Sequence, residues 1–202
     1  MNDILERDGL SVELLSSLSY KSELGISLNF DRDLLLAELF AARRWFNSVA
    51  ILPSLPVDYR IKSKQSIVLK FDRYWPDHQA RKVFNDLLGF RSMCDSYDCL
   101  ESLDSGQFKF VDISHGKSND DGYRGVHIYY VDEPRCYPIE IQYNTFFDRQ
   151  LNNWLHKYVY KLYADCTIGA ELRSLYEVGK IRSESEFLEE LDHVLSSREV
   201  VF

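Results

Sequence analysis

Two carboxylates, Asp86 and Glu140, sit at the edges of apolar runs, and the cations Arg60, Lys62 and Lys70 precede them with Ser66 in their midst. An Asp and a Glu can share a hard cation such as Mg²⁺, which takes one or two carboxylates and leaves its other positions to phosphates and water. Arg60 and Lys62 fall on the same side of an alternating segment. Ser63-Lys-Gln-Ser66 opens a helical pattern whose N-terminal amides suit an anion. With Lys70, these groups would hold a polyphosphate. Tyr123, framed by glycine in a polar loop, offers a flat ring on which a base can stack. The chemistry described is transfer of a phosphate-containing group from a nucleotide to an acceptor hydroxyl, driven by positioning and charge neutralisation. The GxxxxGK[ST] phosphate loop is absent, which argues against a kinase of that type.

The elements that must position these residues can be read from periodicity. Ser11 to Leu18 reads as a short amphipathic helix. Asp31 is a candidate N-cap for a longer one reaching about Val49, with Leu34, Leu35, Leu39, Ala42 and Phe46 on one stripe. Asp58 to Lys62 alternates like a strand, and a helix starting at Ser63 carries Ser66 and Lys70 on successive turns. Pro76 to Asn85 and Asp95 to Leu103 read as helices, and Leu87 to Cys94 and Gln107 to Ile113 as strands. The polar stretch Ser114 to Gly122 predicts a mobile loop carrying one cation, Lys117. Two alternating strands flank the turn at Asp132-Glu-Pro-Arg135; His127 and Tyr129 share one face of the first, Glu140 and Gln142 one face of the second. Helices follow over 146–163, 170–178 and 184–195. The order implies an α/β sandwich: a mixed sheet of about five strands flanked by helices, with helices at both ends of the chain. One domain is expected over residues 1–202, with N-terminal helices to about 52, a core over 57–163 and C-terminal helices over 164–202.

Composition bounds the setting. With 202 residues, 45% apolar residues and 25 Tyr and Phe, the chain can build a real core. No apolar run reaches membrane-spanning length, and the charged N-terminus lacks a signal-peptide pattern, so a cytoplasmic protein without a membrane partner is expected. Cys94, Cys99, Cys136 and Cys166 show no CxxC spacing and read as free buried thiols. The net charge of −8 argues against non-specific nucleic-acid binding, yet it is unevenly spread. Arg43 to Arg91 carries ten Lys and Arg against four Asp and Glu, while the rest carries 14 against 28. A basic segment inside an acidic protein suggests a local anion site.

Taken together, these segments resemble the synthetase domain of the RelA/SpoT family, the pyrophosphokinases that make ppGpp and pppGpp. The resemblance covers about Tyr59 to Lys161 in the family's order. Arg60-Ile-Lys62-x-x-x-Ser66-x-x-x-Lys70 resembles its ATP-phosphate motif, and Asp86-Leu-Leu-Gly-Phe-Arg91 its Asp-x-x-Gly-x-Arg motif. Gly122-Tyr123-x-x-x-His127 resembles the acceptor-stacking loop, and Glu140-Ile-Gln142 the Glu-x-Gln strand. Trp154, His156 and Tyr160-Lys161 fit the helix that follows. The resemblance implies a nucleotidyltransferase-like RelA/SpoT synthetase fold. It implies ATP as donor, bound by Arg60, Lys62, Ser66, Lys70 and Arg91. Asp86 and Glu140 would hold Mg²⁺, with Glu140 assisting deprotonation of the attacking 3′-hydroxyl. Tyr123, His127, Gln142 and Lys117 would bind the acceptor. The His-Asp dipeptide of the family's hydrolase half is absent, which implies synthesis without hydrolysis.

Departures from the pattern bear on the acceptor. Gly125 stands where housekeeping members carry Ser, and Tyr143-Asn144 replaces their Ile-Arg. The wording Gly-Tyr-Arg-Gly-Val-His, Tyr-Pro-Ile-Glu-Ile-Gln and Asn153-Trp-Leu-His-Lys-Tyr-Val-Tyr-Lys161 is similar to the toxic small alarmone synthetases of toxin–antitoxin pairs. That similarity implies transfer of pyrophosphate to the 3′-hydroxyl of the tRNA CCA end, blocking aminoacylation, and a cognate antitoxin protein. The alternative acceptor is a free nucleotide, giving (p)ppGpp or (p)ppApp. Arg43, Arg44, Lys64, Arg81 and Lys82 are the candidates for the tRNA backbone. The acidic tail from Ala164 would cap the sheet or receive the partner.

Overall fold

The computed structural model describes residues 3–24, 31–76, 78–98, 100 and 106–199. Five strands form one sheet: β1 (Asp58–Ile61), β2 (Leu88–Met93), β3 (Phe108–Asp112), β4 (Val126–Tyr130) and β5 (Ile139–Asn144). Their spatial order is β1-β2-β5-β4-β3. β1 and β2 are antiparallel, with Arg60 opposite Gly89 and Asp58 opposite Arg91. β2 and β5 run the same way: Gly89 lies beside Glu140, and further along both strands the Cys94 N–H donates to the Asn144 carbonyl. β3 and β4 are antiparallel, joined at one end by Ile113 with Gly125 and at the other by Val131 with Gln107. The sheet is therefore mixed, as the element order predicts.

Eight α-helices are described: α1 (Asp3–Arg7), α2 (Val12–Ser17), α3 (Arg32–Ser48), α4 (Lys64–Tyr74), α5 (Ala80–Val83), α6 (Phe146–Tyr158), α7 (Thr167–Glu177) and α8 (Glu184–Glu199). Ser11, Asp31, Ser63 and Thr145 cap α2, α3, α4 and α6, each side-chain oxygen accepting backbone N–H bonds of the first turn. Three sequence expectations shift. Leu34 leaves the apolar stripe of α3 and stands exposed, while Leu35, Leu39, Ala42 and Phe46 are buried. The helix expected over 76–85 contracts to α5, because Gln79 is extended at one end and Phe84 departs from helical dihedrals at the other; residue 77 lies outside the described residues. α6 stops at Tyr158, and Tyr160–Lys161 lie in the turns beyond it. Of the helix expected over 95–103, residues 99 and 101–103 lie outside the described residues.

The chain divides into two compact units. The first holds Met1–Ser92, Asp98–Val111 and His127–Tyr143. Its core draws Leu35, Leu39 and Phe46 from α3, Ile67 and Phe71 from α4, and Leu88, Phe90, Ile128, Ile139 and Ile141 from the strands. The second holds Met93–Tyr97, Asp112–Val126 and Asn144–Phe202. Its core is the cluster of Leu151, Trp154, Leu155, Leu172, Tyr176 and Phe187 with their neighbours. Cys94 and Cys136 are buried as expected, but Cys166 is exposed at the start of α7, and Cys99 lies outside the described residues. Among the described residues, no helix is long and apolar enough to cross a membrane.

Candidate active site

The first unit gathers most of the singled-out polar residues. Alternation on β4 buries Val126, Ile128 and Tyr130 and leaves His127 and Tyr129 on the opposite face. On β5 the same period places Glu140 and Gln142 together. A small pocket open to solvent is lined by Arg60, Asp86, Gly89, Phe90, Arg91, Glu140 and Gln142. Five predicted site residues thus face one space, drawn from β1, β2, β5 and the residue that leads into β2.

Asp86 and its cations form the tightest part. Lys62 Nζ donates to Asp86 Oδ2 at 2.5 Å, and Lys70 Nζ to Oδ1 at 3.1 Å. The Lys62 side chain is almost wholly buried, that of Asp86 only 15% exposed. Burial pushes the Asp86 carboxyl up, but the two ammonium groups and their hydrogen bonds outweigh it and hold the acid below its ordinary range. Burial also pulls the Lys62 ammonium down, against the pull of Asp86 in the other direction. Lys62 is oriented through its backbone as well, its N–H donating to the Leu87 carbonyl and its carbonyl accepting from Arg43 Nε at 3.2 Å.

Glu140, 7% exposed, is held at both oxygens. Tyr129 Oη donates to Oε1 at 3.1 Å, and Gln142 Nε2 donates to Oε2 at 2.8 Å. His127 Nδ1 lies 3.3 Å from Oε1 and 3.2 Å from the Tyr129 hydroxyl. Tyr129 is a partner that the sequence reading passed over, although its place on the His127 face was legible. Gly89 is another. A Cβ there would stand 3.6 Å from Glu140 Oε2, inside the space that Arg60 and Glu140 face.

Whether these residues suit Mg²⁺ and a polyphosphate can be judged from the donor set. Among the described residues no group of three or more His, Cys, Asp or Glu could hold a metal alone. Two carboxylates facing one cavity with Arg60 and Arg91 leave the remaining positions to phosphate and water, which fits Mg²⁺. The bare glycine supplies room beside Glu140. Ser66 departs from the expectation of free amides: its N–H is capped by Ser63 Oγ at 3.1 Å, and its hydroxyl accepts from the same atom.

The second unit holds Tyr123 and Lys117. Lys117 Nζ lies 5.3 Å from the Tyr123 ring centroid and 2.6 Å from Asp121 Oδ2. The loop predicted to be mobile is instead pinned. Asp120 Oδ1 accepts from the Gly122 N–H and Asp121 Oδ1 from the Tyr123 N–H. Arg124 grips Asp120 with two bonds of 2.7 and 2.8 Å, which holds that carboxyl below its usual range. Tyr160 Oη donates to the Asp121 carbonyl, and Arg173 Nε to that of Gly122. Asp120 and Asp121 thus tie the loop's backbone to the cations Arg124 and Lys117. Gly122 sits at φ +82°, and a Cβ there would meet the Gly169 carbonyl oxygen at 2.2 Å, so the approach to α7 requires glycine.

The positions that depart from the family pattern have structural work. Asn144 is buried, its amide donating to the Arg124 carbonyl at 2.8 Å. Tyr143 is buried in the first unit, where its hydroxyl donates to Asp8 Oδ2 at 2.9 Å. Of the basic candidates, Arg43 bonds the Lys62 carbonyl, Arg81 bonds the Pro134 carbonyl, and Lys64 lies over the Phe40 ring. Arg44 and Lys82 are exposed.

No protein-family model matches the sequence, and no curated protein matches it. Among solved structures, the chain is similar to the small alarmone synthetase 1 of Bacillus subtilis bound to its product pppGpp, with 20% identity and a TM-score of 0.45 over 84% of this chain and 92% of that one. It is similar to the small alarmone synthetase 2 of Bacillus subtilis, with 24% identity and a TM-score of 0.43 over 84% and 98%. A GTP pyrophosphokinase family protein from Streptococcus pneumoniae shows 19% identity and a TM-score of 0.41 over 85% and 93%.

Proposed function

We propose that this chain is an ATP-dependent pyrophosphokinase, and that its acceptor is the 3′-hydroxyl of the tRNA CCA end. The observation that carries the first part is the shared cavity of Arg60, Asp86, Gly89, Arg91, Glu140 and Gln142. Residues from three separate stretches of the chain converge there with the donor types that pyrophosphate transfer needs. Arg60, Lys62, Lys70 and Arg91 bind the donor's phosphates, Ser66 adds a hydroxyl, and Asp86 and Glu140 hold Mg²⁺. That ion, when bound, neutralises charge developing on the transferred group. Glu140 also accepts hydrogen bonds from the acceptor hydroxyl, with Tyr129, His127 and Gln142 fixing its carboxylate. Lys62 and Lys70 exchange Asp86 for phosphate oxygens as the donor enters. Tyr123 stacks the acceptor base, with Lys117 beside it to meet a phosphate.

The acceptor assignment rests on the motif wording around Tyr123, Glu140 and Trp154. It carries with it a toxin role, with blocked aminoacylation, arrested translation and a neutralising antitoxin protein. A free guanosine or adenosine nucleotide is the rival acceptor. It is favoured by the engagement of Arg43, Arg81 and Lys64 with their own chain, which reduces the basic face open to a tRNA backbone. Purified protein with γ-labelled ATP, offered deacylated tRNA or GDP and GTP, decides between them. Label on tRNA supports the proposal; label moving only to free nucleotides sinks the tRNA part and leaves the pyrophosphokinase. Expression is expected to arrest growth, and Tyr123→Ala or Asp86→Ala to relieve it. Arrest that persists in both variants removes catalysis as the cause.

A further inference from the structure

Arg173 lies on α7, beyond the segment whose motifs describe the pyrophosphate chemistry, and its side chain is 1% exposed. Replacing a buried ion pair by packed apolar groups is often neutral for stability, so stability alone is a weak reason to keep a guanidinium there. Its bonds give a better one. Nε donates to the Gly122 carbonyl at 2.8 Å, Nη1 to Asp148 Oδ1 at 2.7 Å, and Nη2 to Asn152 Oδ1 at 3.3 Å. Asn152 takes both backbone groups of Arg124, donating to the carbonyl at 2.6 Å and accepting from the N–H at 3.2 Å. One buried network therefore grips the peptide groups on both sides of Tyr123. The contact of Gly122 with Gly169 seats the first turn of α7 directly against the same backbone.

We infer that Arg173 is a positioning residue for the acceptor: through Gly122 and Asn152 it sets the backbone that carries Tyr123. Helix α7 thereby governs acceptor binding and not donor binding. This rests on the reading that Tyr123 stacks the acceptor base. Asp148 is the partner that makes the burial tolerable. It is shared with Tyr97 Oη and Thr145 Oγ1, at 2.7 and 2.9 Å, which anchor it without competing for Oδ1.

The test is steady-state label transfer by the full chain to whichever acceptor the wild type uses. Arg173→Met is expected to raise the acceptor KM about tenfold, as loss of a charge-assisted hydrogen bond would, while the ATP KM moves by less than about twofold. Arg173→Lys, which keeps the charge and a donor, is expected to recover part of the loss. In a Tyr123→Ala background, Arg173→Met is expected to add nothing to the acceptor KM. A further rise of about tenfold in that background overturns the inference, because the effect would then bypass Tyr123. A lowered melting temperature with an unchanged acceptor KM overturns it too, leaving Arg173 a purely structural group. Should Arg173→Met fail to fold, Asp148→Asn takes its place, since it weakens the same clamp while leaving the guanidinium buried. An unchanged acceptor KM there counts against the inference in the same way. Wild type that transfers no label to tRNA or to free nucleotides overturns the pyrophosphokinase reading and this inference together. Normal wild-type turnover with a failed Tyr123 cycle removes only the part given to Arg173.

Discussion

Gly89 and Gly122 are both buried, yet they do opposite work. Around Gly89, polar side chains meet one another across a cavity, and a Cβ would find only ordinary contacts at 3.6 Å. Around Gly122, side chains meet backbone, the dihedral is left-handed, and a Cβ would overlap the Gly169 carbonyl. The first region is built from ion pairs that a ligand can exchange; the second is built from hydrogen bonds that fix a loop before any ligand arrives. Under the proposed function the first would move charge and the second would present a ring, and the two units differ accordingly.

That contrast can be broken in stages. The largest effect is expected from Glu140→Ala, which removes the acceptor of the Tyr129 and Gln142 bonds and one of two cavity carboxylates. Label transfer should fall about a thousandfold. Gly122→Ala should cost about 3 kcal/mol or more of folding stability in urea melts, from left-handed strain together with overlap against backbone. Gly89→Ala should show the reverse: stability within about 1 kcal/mol of wild type, but transfer reduced about tenfold as the methyl group fills space beside Glu140. If both glycine variants lose stability equally, the division between an exchangeable and a fixed region is wrong.

Acid sharpens the comparison further. Asp86 is held below its ordinary value in the folded state, so its contribution to stability is fully present above the unfolded carboxylate range. It is lost as pH falls from about 3.8 through the lower folded value. Asp86→Asn should remove this part of the acid limb in melts recorded without divalent cation. The smallest effect is expected from Lys117→Ala. Its side chain is 42% exposed and meets the Tyr123 ring and Asp121, so the acceptor KM should rise about two- to threefold with no change in stability.

Local patterns carried much of the fold and of the cavity. Alternation of period two placed His127 with Tyr129 and Glu140 with Gln142 on shared faces, and the cap Asp31 and the helix opening at Ser63 were legible ahead of apolar runs. The parallel neighbourhood of β2 and β5 was not, because nothing local in 86–91 or 139–144 says that these strands pair. Yet that pairing brings Asp86 and Glu140 to one cavity. The fixed loop escaped for a related reason. Asp120, Asp121 and Lys117 look like solvated loop residues until Arg173 and Asn152, distant in sequence, are seen to close the network around them. Tyr143 and Asn144, read as choices about the acceptor, are in addition buried groups that bond Asp8 and the Arg124 carbonyl, which no local pattern announced.

The two lysines on Asp86 have a consequence for how this protein would behave when stripped of metal. Clusters of carboxylates that rely on a cation to offset their repulsion come apart under a chelator. Here the counter-charge is covalently built in, since Lys62 and Lys70 already balance Asp86. Chelation should silence such a protein without unfolding it.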